Sequence, residues 1–168
     1  MKQTLPILIF GYGNLSRGDD ALGPLLLEMI QERMAPSTVE ILNDFQLQVE
    51  HALDLEDRNL VLFIDASVAC AGAFDFRELE PAHDKSYTTH AMSPAAVLQV
   101  YRTIKHRNPP PCFLLSIQGE QFELGSDLSP KARKNLQQAG LYAERLLRQP
   151  NVDVWRELAE KSFHQKKS

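Results

Sequence analysis

Two adjacent carboxylates, Asp19 and Asp20, follow a glycine-rich bend that opens at Gly11, and a third, Asp65, stands directly after the apolar run Leu60-Val-Leu-Phe-Ile64. An imidazole, His90, lies just before Ser93-Pro94, a serine cap followed by a proline at the first helical position. In open parallel α/β sheets ligands gather at the carboxyl ends of the strands. Acids placed just past two strands can therefore converge, and a histidine in a loop before a helix lies near the same kind of edge. Two carboxylates and one imidazole form a mixed oxygen and nitrogen donor set suited to a divalent transition ion such as nickel or zinc, with positions left open for substrate or water. Asp20, Asp65 and His90 are accordingly the candidate metal ligands and catalytic residues. Each also has a purely structural use: Asp19 or Asp20 as a helix cap, Asp65 as a strand end, His90 as a partner for a backbone carbonyl. Acids near a helix N-terminus are stabilised there in any case.

Other chemistries fit the spacing less well. Gly11, Gly13, Gly18 and Gly23 superficially suggest a dinucleotide fingerprint, but the residue three past Gly13 is Ser16. A Walker loop needs lysine after its last glycine, and here Asp19 follows Gly18 and would repel phosphate. The glycines keep their geometric role, letting the backbone turn where a side chain would clash. Ser67 or Ser93 could be drawn with His90 and Asp65 as a triad, yet there is no G-x-S-x-G elbow and Ser93 is better used as a cap. Cys70 with His83 or His90 lacks any local thiol-protease signature, and Glu120 reads as a solvated loop acid.

The elements that must position these groups are legible along the chain. Leu5–Phe10 and Leu60–Ile64 are short apolar runs that fit strands buried on both faces. Val39–Leu42, Phe74–Leu79 and Cys112–Ile117 are weaker strand candidates, the last preceded by the connector Asn108-Pro-Pro-Pro111. Leu22, Leu25, Leu26, Met29, Ile30 and Arg33 trace a helical face, with Pro24 fixing the start between Asp20 and Gly23. Ser93-Pro94 starts a second helix along Val97, Leu98, Tyr101 and Ile104, and Ser129-Pro130 a third along Ala132, Leu136, Ala139, Ala143 and Leu146. Strands alternating with helices predict a three-layer α/β/α sandwich around a mostly parallel, twisted sheet of roughly five strands. Residues 1–150 are read as one such domain. Residues 151–168, after Gln149-Pro150, are read as a C-terminal extension whose Trp155, Leu158 and Phe163 could form a short docking helix or fray.

Composition narrows the class. The 168 residues are 43% hydrophobic and 24% charged, ordinary for one soluble globular domain. A net charge of -4 argues against a nucleic-acid surface. Cys70 and Cys112 form no Cys-x-x-Cys pair, and both are expected to be buried thiols. With no leader-like start and no apolar run near bilayer length, the expectation is a cytoplasmic protein, not inserted in a membrane and monomeric when free.

Five blocks carry a more specific signal: Gly11-Tyr-Gly-Asn-Leu-Ser-Arg-Gly-Asp-Asp20 with Gly23-Pro24, then Phe63-Ile-Asp-Ala66, Thr89-His-Ala-Met-Ser-Pro94, Ile117-Gln-Gly-Glu120, and Gly125-Ser-Asp-Leu-Ser-Pro130. In kind and order they resemble the hydrogenase maturation endopeptidases, hydrolases that trim the C-terminal extension from the large subunit of nickel-iron hydrogenases. The resemblance implies that Asp20, Asp65 and His90 are the metal-binding set, with Asp20 a shorter arm than the glutamate usual there. It implies a nickel-loaded large-subunit precursor as substrate and partner, bringing its own nickel, for which another divalent ion could substitute in vitro. Asp44-Phe-Gln-Leu-Gln48 also resembles a family segment in which His-Gln-Leu is frequent, with phenylalanine here in place of the histidine. A non-catalytic module that inspects nickel in the precursor without cutting would use the same ligands.

Overall fold

The central strands form because apolar stretches are buried between helices that cover both faces of the sheet. The structure, a computed structural model, describes residues 3–34, 37–85 and 92–167, with side chains to residue 163. Its strands are β1 (Ile7–Tyr12), β2 (Val39–Asp44), β3 (Leu60–Ser67), β4 (Phe74–Glu78) and β5 (Cys112–Gln118). They make one sheet in the order β2-β1-β3-β5-β4, parallel except for β4, which runs antiparallel to β5 at the edge. The helices are α1 (Leu22–Arg33), α2 (Pro94–Lys105), α3 (Pro130–Arg148) and α4 (Val152–Lys167). This is the three-layer, mostly parallel sandwich expected.

Strand periodicity divides the core in two. Ile7, Ile9, Leu62, Ile64, Phe113 and Leu115 face one layer with residues of α1, α3 and α4, while Leu8, Phe10, Val61, Phe63 and Leu114 face the other with Val97, Leu98 and Tyr101 of α2. Because successive side chains alternate faces, Tyr12, Asp65 and Ser116 continue the second set at the carboxyl ends of β1, β3 and β5. The chain leaves β1 for β2 on one side and later enters β3 on the other side of β1. The gap between the ends of β1 and β3 is therefore the topological switch point, where such folds bind ligands.

The helix starts follow the sequence signals. Ser93 Oγ accepts the Ala96 N–H and Ser129 Oγ accepts the Ala132 N–H, both at 3.1 Å. A 3₁₀ turn, Gly18–Ala21, precedes α1, so Asp19 and Asp20 sit in that turn. Two details differ from expectation. β3 runs on to Ser67, which puts Asp65 inside the strand. Ile104 is 51% exposed in the last turn of α2, beyond the face packed by Val97, Leu98 and Tyr101. Of the two readings of the C-terminal segment the docking helix is the one formed: residues 152–167 make a 16-residue helix that joins the main core through Trp155 and Leu158, with Phe163 56% exposed. The Trp155 ring is fully buried, edge-on to Phe76 and Phe113, and its Nε1–H donates to the carbonyls of Leu146 and Gln149. Indole needs both an apolar slot and a hydrogen-bond acceptor, and the end of α3 supplies the acceptors.

Candidate metal centre

The centre is built on a row of three side chains across the sheet. Asp65 pairs with Ser116 in the β3–β5 register, and Tyr12 follows the Gly11–Ile64 pair between β1 and β3. The Tyr12 hydroxyl donates to Asp65 Oδ2 at 2.8 Å, and the Ser116 hydroxyl donates to Asp65 Oδ1 at 2.7 Å. Burial pushes the Asp65 carboxyl above the usual range, the Ser116 and Tyr12 hydrogen bonds oppose that, and the charge of Asp20 adds to the rise. Burial, then the negative charge of Asp65, push the Tyr12 phenol well above its ordinary value, which keeps it a donor.

Asp20 is delivered by the bend. Gly13 has φ +149°, and a Cβ there would come within 2.1 Å of the Asp20 carbonyl oxygen, so the loop can fold back on itself only with glycine. That fold brings the Asn14 N–H to Asp20 Oδ2 at 2.8 Å. Gly23 then lets the first turn of α1 lie against the strand ends, since a Cβ would meet the carbonyl oxygens of Tyr12 and Ile64 at 2.7 and 2.9 Å.

Its neighbour Asp19 does different work. Fully buried, it accepts the N–H groups of Glu120, Gln121 and Ser129 and the Ser129 hydroxyl, at 2.7–3.1 Å. Burial alone would raise its pKa, but the donors from Glu120, Ser129 and Gln121 together outweigh it and hold the carboxyl below the usual range. Asp19 thus ties the first loop to the loop after β5 and to the start of α3. The structural role falls to Asp19, though not as the expected cap of α1: its donors lie in the loop after β5 and at the start of α3. Asp20 is left half-buried toward the cleft.

Asp20 and Asp65 line one cavity of about 280 Å³, together with Tyr12, Asn14, Arg17 and Phe45. His90 lies outside the described residues, as do Thr89 and Ala91 of its sequence block. Among the described residues no group of three or more His, Cys, Asp or Glu side chains is placed to hold an ion. The pair suits part of a divalent cation's shell: two carboxylates are hard oxygen donors, and a cation between them would offset the mutual repulsion that burial amplifies. The structure adds Tyr12 and Ser116 to what the sequence suggested. Their signal was the two-residue strand period, which puts them on the Asp65 face once the register is known.

Ser67 Oγ accepts the Ala69 N–H and Ser93 Oγ caps α2, so both candidate serine nucleophiles have local structural roles. Cys70 and Cys112 are both buried, and burial raises the Cys112 thiol pKa far above its ordinary value. Both cysteines thus match the expectation of buried thiols.

An open, doubly wound α/β sandwich with an acidic cleft at its switch point is the class of protein these features define. No family model matches the sequence, and no curated protein matches it. Solved structures do. The hydrogenase maturating endopeptidase HybD from E. coli is 25% identical, with a TM-score of 0.67 over 86% of this chain and 93% of that one. An endopeptidase from Escherichia coli, solved in solution, is 24% identical with a TM-score of 0.69 over 87% and 94%. The [NiFe] hydrogenase maturation protease HycI from Thermococcus kodakarensis KOD1 is 22% identical with a TM-score of 0.67 over 86% and 93%. The chain has the fold of the hydrogenase maturation endopeptidases, the family its sequence blocks resemble.

Proposed function

We propose that this protein is an endopeptidase that removes the C-terminal extension of a nickel-loaded nickel-iron hydrogenase large-subunit precursor, with Asp20, Asp65 and His90 meeting the nickel that the precursor carries. The observation that carries the reading is the meeting of Asp20 and Asp65, distant in sequence, at one cavity at the switch point. The likeness to HybD over most of both chains supports the hydrolase class. A divalent ion held there supplies electrostatic catalysis, polarising a scissile carbonyl or activating a water. The chain's own part is to offer an incomplete ligand set, so that binding depends on the precursor supplying both the metal and the remaining donors. A metal-free precursor is then rejected. The protein acts before assembly is complete, in the cytoplasm. The described residues include no helix long and apolar enough to cross a membrane.

The test is to incubate the protein with nickel-loaded and with metal-free large-subunit precursor and follow the C-terminus by mass. Shortening of the loaded precursor only, abolished in Asp20→Asn, Asp65→Asn and His90→Ala, is the expected result. Cleavage at full rate in all three variants refutes the site. Tight binding of loaded precursor without any cleavage by the wild-type protein identifies a checkpoint module instead.

A further inference from the structure

Asp20 and Asp65 reach the same cavity but are held very differently. Among the described residues, the Asp20 side chain accepts one hydrogen bond, at Oδ2, from the loop amide of Asn14. Asp65 rises from the middle of the sheet, and each of its oxygens accepts a hydrogen bond from a hydroxyl on a different neighbouring strand. An ionised carboxylate offers about four lone-pair sites. Donors among the described residues take two, one on each oxygen, and hold the plane of the group between β1 and β5.

We propose that Tyr12 and Ser116 are positioning residues, a two-hydroxyl clamp that presents the Asp65 carboxylate to the cavity in one orientation and makes it the rigid arm of the site, with Asp20 the adaptable one. The clamp rests on the reading that Asp65 meets a cation in this cavity. A rigid arm matters because the ion arrives inside another protein and must be met where it stands, without a preformed cage to centre it. Outer partners of this kind fix ligand orientation, and removing one typically costs about 10–100-fold in metal affinity or activity. Packing alone does not require the hydroxyls: Phe10 and Leu114, one strand period earlier on the same face, fill their places with hydrocarbon alone. The polar pair appears only where the row reaches the cavity. Burying a carboxylate is costly unless its lone pairs are satisfied, and here the satisfying groups come from β1 and β5, the two strands that flank β3.

The test uses Tyr12→Phe and Ser116→Ala, each of which removes a hydroxyl and leaves the hydrocarbon in place, with Ser116→Thr as the conservative variant. Three quantities are read: kcat and KM for trimming nickel-loaded precursor, the affinity of the protein for Ni²⁺ alone by calorimetry, and the thermal midpoint. The clamp predicts a kcat/KM lower by about 10–100-fold in each variant, through a lower kcat and a KM raised with the weaker Ni²⁺ binding, only the modest fall in thermal midpoint that one lost buried hydrogen bond brings, and recovery of most of the lost rate in Ser116→Thr. Wild-type kcat and Ni²⁺ affinity in both hydroxyl variants overturn it. So does a loss of rate that follows the thermal midpoint and is not restored by threonine. Asp65→Asn separates the two levels: if it too retains full activity, the proposed site itself falls, whereas an inactive Asp65→Asn beside fully active Tyr12→Phe and Ser116→Ala removes the clamp alone.

Discussion

Replacing Asp19 by asparagine tests how the cleft is held together. The substitution keeps shape and removes charge. Oδ2 of Asp19 receives the Glu120 and Gln121 N–H groups and the Ser129 hydroxyl, and Oδ1 receives the Ser129 N–H. With the asparagine oxygen in the Oδ2 position, its amide nitrogen must face the Ser129 N–H, donor against donor. Leaving one buried donor unsatisfied costs about 1–3 kcal/mol, and the remaining bonds drop from charged to neutral acceptor strength, a further loss of about 1 kcal/mol. The expected total is about 3 kcal/mol. For a chain of 168 residues this lowers the thermal midpoint by roughly 6–12 °C, at about 2–4 °C per kcal/mol. Circular dichroism during a thermal ramp reads it directly. The pH dependence gives an independent check: the folded-state pKa of Asp19 is depressed, so its contribution is complete above the unfolded value near ~4 and is lost as pH falls through the folded value. The gap between wild type and variant should stay constant from about pH 5 to pH 8 and shrink on acidification below about pH 4. A variant with an unchanged midpoint at neutral pH, or a gap that widens in acid, refutes the account of Asp19 as the tie between these loops.

Trp155→Ala empties a fully buried aromatic site between Phe76 and Phe113 and is expected to cost about 3–5 kcal/mol in urea unfolding; near-neutral behaviour would mean α4 is not part of the core. Gly13→Ala places a Cβ against the Asp20 carbonyl at a positive φ, so it should destabilise by more than about 1 kcal/mol and disable the site; wild-type stability would show that the bend tolerates a side chain. The Cys112 thiol, buried and raised in pKa, should resist a thiol reagent at pH 8 in the native state and react on unfolding; rapid native labelling of Cys112 would contradict its burial.

Much of the framework could be read from local pattern. The apolar runs around Ile7 and Leu60, and the Ser-Pro starts at Ser93 and Ser129, each contain their own signal within a few residues. Asp20 and Asp65 were legible as cleft acids because one follows β1 and the other lies near the carboxyl end of β3, two strands that must end at one edge. What local pattern could not supply is register. Tyr12 and Asp65 are separated by 53 positions and Asp65 and Ser116 by 51, and only the pairing of β1, β3 and β5 makes them a row. The division of labour between Asp19 and Asp20 was hidden for the same reason, since the donors to Asp19 lie 101–110 positions away. Trp155 carried a hint of docking, but its partners on β4 and β5 emerge only after the sheet order is known. The antiparallel edge is intelligible in hindsight: residues 68–73 between β3 and β4 are too few for the crossover of a dozen or more residues that a parallel connection needs.

Anomalous scattering at the nickel edge, recorded on crystals of the protein bound to uncleaved nickel-loaded precursor, tests the central claim most directly. The account predicts a single peak in the cleft about 2 Å from a carboxylate oxygen of Asp20 and of Asp65, with His90 and precursor donors completing the shell. A nickel peak remote from these two carboxylates, in a complex poised for cleavage, would contradict it.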